Sequence, residues 1–193
     1  MFRTTASAAA LLACAAMFVW AADESPKPKD AKAGDTQKVR LHVSGAYCLG
    51  CAGVLTDALA DGGVENATKV PANRARGYVI VLGDIAKDFD LSKLAVAVNE
   101  ADTPHKKQAK PGVALELFAS LDETTAPKAV EALADIKGVD AKHSSANVET
   151  GAISIKLSGE EKVTVASLIG ALKKGGIDAK VVTDAPAPVE EAE

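Results

Sequence analysis

Thiols, aromatic rings and excess charge are all scarce in this chain, and each shortage removes a class of explanation. Cysteine occurs three times in 193 residues, at positions 14, 48 and 51, so a framework of several disulfides is not available. Aromatic residues make up only 4%, which leaves Val, Leu, Ile and Ala to fill the core. The formal charge is −4 at pH 7, with no basic stripe interleaved with aromatics, and nucleic acid is thereby set aside as a partner. A Gly-x-Ser-x-Gly elbow, a His-Glu-x-x-His pair and a glycine-rich phosphate loop are all missing, so nothing in the sequence asks for an enzyme. What is present, 48% hydrophobic and 25% charged residues, is ordinary for one or two folded domains.

At the N-terminus, Met1-Phe2-Arg3 leads into an apolar run from Ala6 to about Ala22, where Val19-Trp20-Ala21-Ala22 offers small residues for cleavage. Asp23-Glu24-Ser25-Pro26 follows at once. Residues 1–22 therefore read as a secretory signal peptide, which predicts a periplasmic or secreted protein. The apolar run is short for a membrane span, where roughly 20 residues are expected. The membrane becomes a partner only if this segment is retained, or if Cys14, in the lipoprotein-like Leu11-Leu12-Ala13-Cys14, is lipidated. Otherwise Cys14 leaves with the signal, and Cys48 and Cys51 are the whole thiol inventory. They can pair only with each other or share a metal. In an oxidising compartment an unliganded vicinal pair tends to close into a disulfide.

Residues 23–37 are charged, Pro-containing and without large apolar side chains, which predicts a disordered linker, and 184–193 read as a disordered acidic tail. Between them the sequence repeats at an offset of 74 positions. Val39, Leu41 and Val43 alternate as a half-buried strand does, and Val113, Leu115 and Leu117 repeat the pattern. The helical spacing of Leu91, Leu94, Ala95 and Val98 returns in Val165, Leu168, Ile169 and Leu172. Ala58-Leu59-Ala60-Asp61 recurs as Ala132-Leu133-Ala134-Asp135, and Gly77 with Val79 and Val81 recurs as Gly151 with Ile153 and Ile155. The reading is α+β: two tandem ferredoxin-like β-α-β-β-α-β units, at 38–110 and 112–183. The first is expected to have strands near 38–44, 66–72, 77–82 and 105–109 and helices near 50–61 and 90–101. In the second, strands are expected near 112–118, 140–148, 152–157 and 179–183, and helices near 125–136 and 164–174. Asp90 and Thr164 are placed to be N-caps, and Gly138 and Gly175-Gly176 to end helices.

In this order Cys48 falls in the loop after the first strand and Cys51 in the opening turn of the first helix. Helix-start N–H groups favour thiolate over thiol there, and two thiolates across such a loop can approach one soft ion from opposite sides. That chemistry suits Cu(I), with Zn, Hg, Cd or Ag as competitors. Gly45-Ala46-Tyr47-Cys48-Leu49-Gly50-Cys51, following Val43-Ser44, resembles the signature of the heavy-metal-associated domain family of copper chaperones, P-type ATPase metal-binding domains and periplasmic mercury-binding proteins. The strand, the glycine and both cysteines are kept, while Ala46 stands where that family usually has Met and Tyr47 where it often has Thr or His. The resemblance implies a carrier or sensor that exchanges its ion with a metal-accepting protein or transporter. The family's shielding residue before the last strand is replaced by about Asp102 and Thr103, and His105 in the same loop is a candidate third ligand.

Residues 112–183 resemble the same family in their strands and helices, but at the 74-residue offset Cys48 maps onto Asp122 and Cys51 onto Thr125. Asp122, Glu123 and Thr125 read as helix capping rather than as a hard-ion site, and this unit as a packing, docking or dimerising module. His42 and His143 are expected on uncovered sheet faces, and Asn66-Ala67-Thr68 matches a glycosylation acceptor. Two other readings of Cys48 and Cys51 stay open on the residues alone. One is thiol redox chemistry, since C-x-x-C at a helix start is also a redox motif. The other is an inert disulfide in a secreted scaffold whose metal site has decayed.

Overall fold

Val39, Leu41 and Val43 turn one face of β1 (Thr36–Ser44) inward, and all three are fully buried, as their alternation requires. The computed structural model describes residues 36–181; the expected signal peptide 1–22 with Cys14, nearly all of the linker 23–37 and the tail 184–193 lie outside the described residues. The strand begins at Thr36, two residues into the expected linker, because Thr36 and Gln37 pair with Ala86 and Ile85. After β1 come α1 (Leu49–Asp61), β2 (Tyr78–Ala86), α2 (Leu91–Glu100) and β3 (Gly112–Phe118). The chain continues through α3 (Thr125–Ala134), a 3-10 turn (Ala141–His143), β4 (Ser145–Ala146), β5 (Ala152–Lys156), α4 (Val165–Lys174) and β6 (Lys180–Val181).

Several boundaries recur at the spacing expected from sequence: α2 spans Leu91–Glu100 and α4 spans Val165–Lys174, a shift of 74 at both ends. Local chemistry accounts for this. Asp90 caps α2 through the Ser92 amide, and Thr164 caps α4 in a reciprocal box with Ser167. Gly77 and Gly151, which lead into β2 and β5, hold φ of 66° and 67°, where a side chain is disfavoured.

Two expected strands are not formed. Residues 66–72 run irregularly along β2, tied by the Glu65–Asp84 bridge and by the Thr68 amide on the Leu82 carbonyl, and Pro71 lacks the N–H that a ladder needs. Residues 105–109, His-Lys-Lys-Gln-Ala, have no β-branched or alternating apolar side chains and form turns instead. The edge of β1 that a strand there would fill is occupied by β3. A single antiparallel sheet results, in the order β2-β1-β3-β5-β4, with β6 also on β3. β6 pairs Leu117 and Phe118 on the same edge of β3 that β1 leaves free beyond Glu116. The 3-10 turn and the two-residue β4 replace the longer strand expected at 140–148.

The β1–β3 pairing sets Leu41 opposite Leu115, two residues that are themselves equivalent at the 74-residue offset. Both are fully buried and join Leu55, Leu59, Leu94, Leu133 and Leu168 in one continuous core beneath the sheet. Each such side chain contributes about 1.5–3 kcal/mol by leaving water. On the other face Glu116, only 6% exposed, meets Arg40 (Nε–Oε2 2.5 Å) and His42 (Nε2–Oε1 3.0 Å). His42 also stacks on Tyr78 with ring centroids 5.0 Å apart. This histidine is thus part of a partly buried polar bridge between β1 and β3, a role its position in the sequence did not specify.

Candidate metal centre

The loop from Gly45 to Cys48 is held by backbone bonds on both sides. Gly45 adopts φ +94° and donates its amide to the Gly77 carbonyl at 2.8 Å, and the Asn73 amide reaches the Ala46 carbonyl at 2.7 Å. Ala46 is fully buried in the core, so the loop is steadied by these bonds without a methionine beneath it. The Tyr47 ring lies across Gly77, within 2.1–2.3 Å of where a β-carbon there would sit, so only glycine leaves room for it.

Cys48 is the N-cap residue of α1, and its Sγ accepts from the Cys51 amide at 3.2 Å. The two sulfurs are 2.7 Å apart. Cys51 is buried, whereas Cys48 is partly open. Above them the turn at 104–109 brings His105 Nδ1 to 3.3 Å from Cys51 Sγ, and Pro104 rests against Gly50. The Gln108 and Ala109 amides close that turn on the His105 carbonyl at 2.9 and 3.0 Å. One donor atom from each of Cys48, Cys51 and His105 therefore lies within 4.8 Å of the other two, the one such group among the described residues.

The thiols differ electrostatically. Bonds from the Cys51 thiol and amide, with a smaller contribution from His105, lower the Cys48 pKa to about 7, while burial foremost raises that of Cys51. Cys48 is thus the ready nucleophile or ligand and Cys51 the protected one. The donor set, two sulfurs and an imidazole, fits a soft ion. A tetrahedral ion with metal–sulfur bonds of about 2.3 Å separates two sulfurs by about 3.8 Å, so binding requires the pair to part by about 1 Å. Cys48, on the loop side and partly exposed, has room to move.

A cavity of about 410 Å³ opens beside Cys48, lined also by Tyr47, Arg74, His105, Gln108 and Ala109. Sequence reasoning did not find Arg74 or Gln108, because the loop and turn that carry them bear no motif. A larger cavity of about 670 Å³ lies near the start of α3, lined by residues that include Phe118, Thr125, Ile177 and Lys180, with no thiol or imidazole.

At Asp122 the carboxylate accepts from the amides of Thr124 and Thr125 at 2.8 and 2.7 Å and from both hydroxyls. These bonds hold its pKa down at about 2 and occupy the carboxylate with capping, as the sequence led us to expect. His143 is in the 3-10 turn, exposed, with Nδ1 2.6 Å from Asp140. Asn66 is exposed at φ 49°, and its amide donates to Asp84.

No protein-family model and no curated protein matches the chain. Among solved structures, the chain is similar to the water-soluble region of the P-type ATPase CopA from Bacillus subtilis, at 20% identity and a TM-score of 0.31, covering 76% of this chain and 91% of that one. The N-terminal soluble domains of the same ATPase give 15% identity and a TM-score of 0.31, covering 79% of this chain and 97% of that one. At that TM-score neither pair establishes a common arrangement of the whole chain.

Proposed function

We propose that this protein binds a soft metal ion, Cu(I) before Zn, Hg, Cd or Ag, through Cys48 and Cys51 with His105 as third donor, and that it carries or senses the ion rather than catalysing a reaction. The observation that carries this reading is the convergence of the three donors, one from the N-cap and one from the first turn of α1, and one from a turn 54 residues beyond Cys51. Convergence of two thiols and an imidazole suits a soft ion, and the partly open Cys48 leaves an approach for exchange. Release proceeds by ligand exchange: a thiolate or imidazole from a metal-accepting protein or transporter adds to the ion, and Cys48 is the first to leave. The 74-residue spacing of the boundaries supports reading the chain as two heavy-metal-associated units in tandem, the second without metal ligands. The N-terminal sequence supports placing it in the periplasm or outside the cell.

The test is an anaerobic Cu(I) titration of the reduced full chain against a chromogenic chelator, beside Cys48→Ser/Cys51→Ser. One tightly held ion per chain, lost in the variant, is the expected result; failure of the unsubstituted chain to compete overturns the reading. A second reading, thiol–disulfide exchange, draws on the 2.7 Å approach of the two sulfurs. Reduction of a small disulfide by a chain that holds no Cu(I) would select it.

A further inference from the structure

The cavity beside Cys48 is not explained by holding an ion, which needs only the three donor atoms. Its volume, about 410 Å³, is within the range of sites for small organic ligands. Of its lining side chains Cys48 and His105 are metal donors, Tyr47 and Gln108 offer neutral polar groups, and Arg74 supplies a fixed positive charge. No acidic side chain lines it, and no described carboxylate forms an ion pair with Arg74. The turn that bears Arg74 is anchored to the metal loop, through the Asn73 amide on the Ala46 carbonyl and the Gly77 amide on the Asn73 carbonyl. The guanidinium is therefore carried on a segment whose backbone is fixed relative to the cysteines.

We infer that this cavity receives a low-molecular-mass thiol bearing a carboxylate, which exchanges the ion with the protein; the inference rests on the metal-binding reading above. The thiol supplies sulfur to the ion from the open, Cys48 side, while Arg74 receives its carboxylate, the pairing that a planar guanidinium favours. The step moves no electrons. The incoming thiol gives its proton to water and its sulfur lone pair to the ion, the bond between Cys48 and the ion breaks, and Cys48 takes a proton back. The bonds from Cys51 and His105 to the ion then break in turn, water or a second thiol taking their places on the ion and Cys51 taking a proton from water, and the thiol departs with the ion; run in reverse, the same steps load the protein.

The experiment uses the reduced full chain carrying one Cu(I), titrated anaerobically with N-acetylcysteine or with N-acetylcysteine amide, which keeps the thiol and removes the charge. Release of the ion is read with a chromogenic Cu(I) chelator. An ion pair at the exposed Arg74 predicts half-release at up to about fivefold lower concentration of the carboxylate form. That preference should fall to about one in Arg74→Ala and be partly kept in Arg74→Lys. Equal half-release concentrations with the unsubstituted chain, or an unchanged preference in Arg74→Ala, would overturn the inference and leave the metal site standing. Failure to load Cu(I) in the absence of any small thiol would overturn both.

Discussion

The loop at 45–51 and the loop at 119–125 sit at equivalent places in the two halves of the chain, each leading from a central strand into a helix, and do the same local work with different atoms. Cys48 accepts the amide of Cys51 on sulfur, and Asp122, 74 positions later, accepts the amide of Thr125 on oxygen. Either side chain ties down a helix start. Only the first pair can hold a soft ion, and only the first loop has an imidazole above it, because Ala179 stands 74 residues after His105. Val148 likewise stands where the first half has Arg74. Capping is a requirement of the fold that several residue types meet, whereas the metal centre needs three particular ones together. The second half ties down a helix start at the same offset without those donors.

The largest test of that contrast removes the thiols. Cys48→Ser/Cys51→Ser should abolish Cu(I) competition while leaving the far-ultraviolet circular dichroism unchanged, since Ser at 48 caps a helix as well. Loss of the folded spectrum would mean that the thiols themselves hold the loop. Next in size, Leu41→Ala and Leu115→Ala should each cost about 2–5 kcal/mol in urea unfolding, because both are fully buried and face each other across the β1–β3 pairing. Costs that differ by more than a factor of two would show that the halves are packed unequally around it. His105→Ala should weaken Cu(I) by at least the roughly tenfold that loss of an outer-sphere partner brings, measured by the same competition. An unchanged affinity would reduce the site to its two sulfurs.

The smallest effect separates the loops by pH. Asp122 has its pKa lowered from 3.8 to about 2, so its capping contribution is fully present above about pH 4 and is lost as pH falls through 2. Asp122→Asn should therefore melt below the unsubstituted protein at pH 7, with the gap narrowing towards pH 2. Cu(I) binding at pH 7 should be the same in both. A gap independent of pH would mean that the charge of Asp122 does not contribute.

The strands and helices that alternate clearly were legible from sequence: β1, β3 and β5 by their inward Val, Leu and Ile, and α2 and α4 by their caps and spacing. The strands misread, at 66–72 and 105–109, lack the alternating apolar side chains of a strand: the first buries Val70 but is interrupted by Pro71, and the second has nothing large and apolar to bury. Cys48 and Cys51 were legible because three residues fix their separation whatever the rest of the chain does. His105 was only a candidate, since a histidine 54 positions away meets a thiol by folding alone. Arg74 and Gln108 could not be found at all from spacing.

By itself, the sequence determined the alternation of each strand, the helix caps and the vicinal thiols, because these depend on residues within one or two turns of each other. Tertiary structure decided that β3 completes the edge of β1, that Glu116 gathers Arg40 and His42, and that His105 stands over Cys51. Each of those depends on which surfaces are left unpaired once local structure has formed. That competition among distant segments for one sheet edge and one loop is settled by burial and hydrogen bonding across the whole fold.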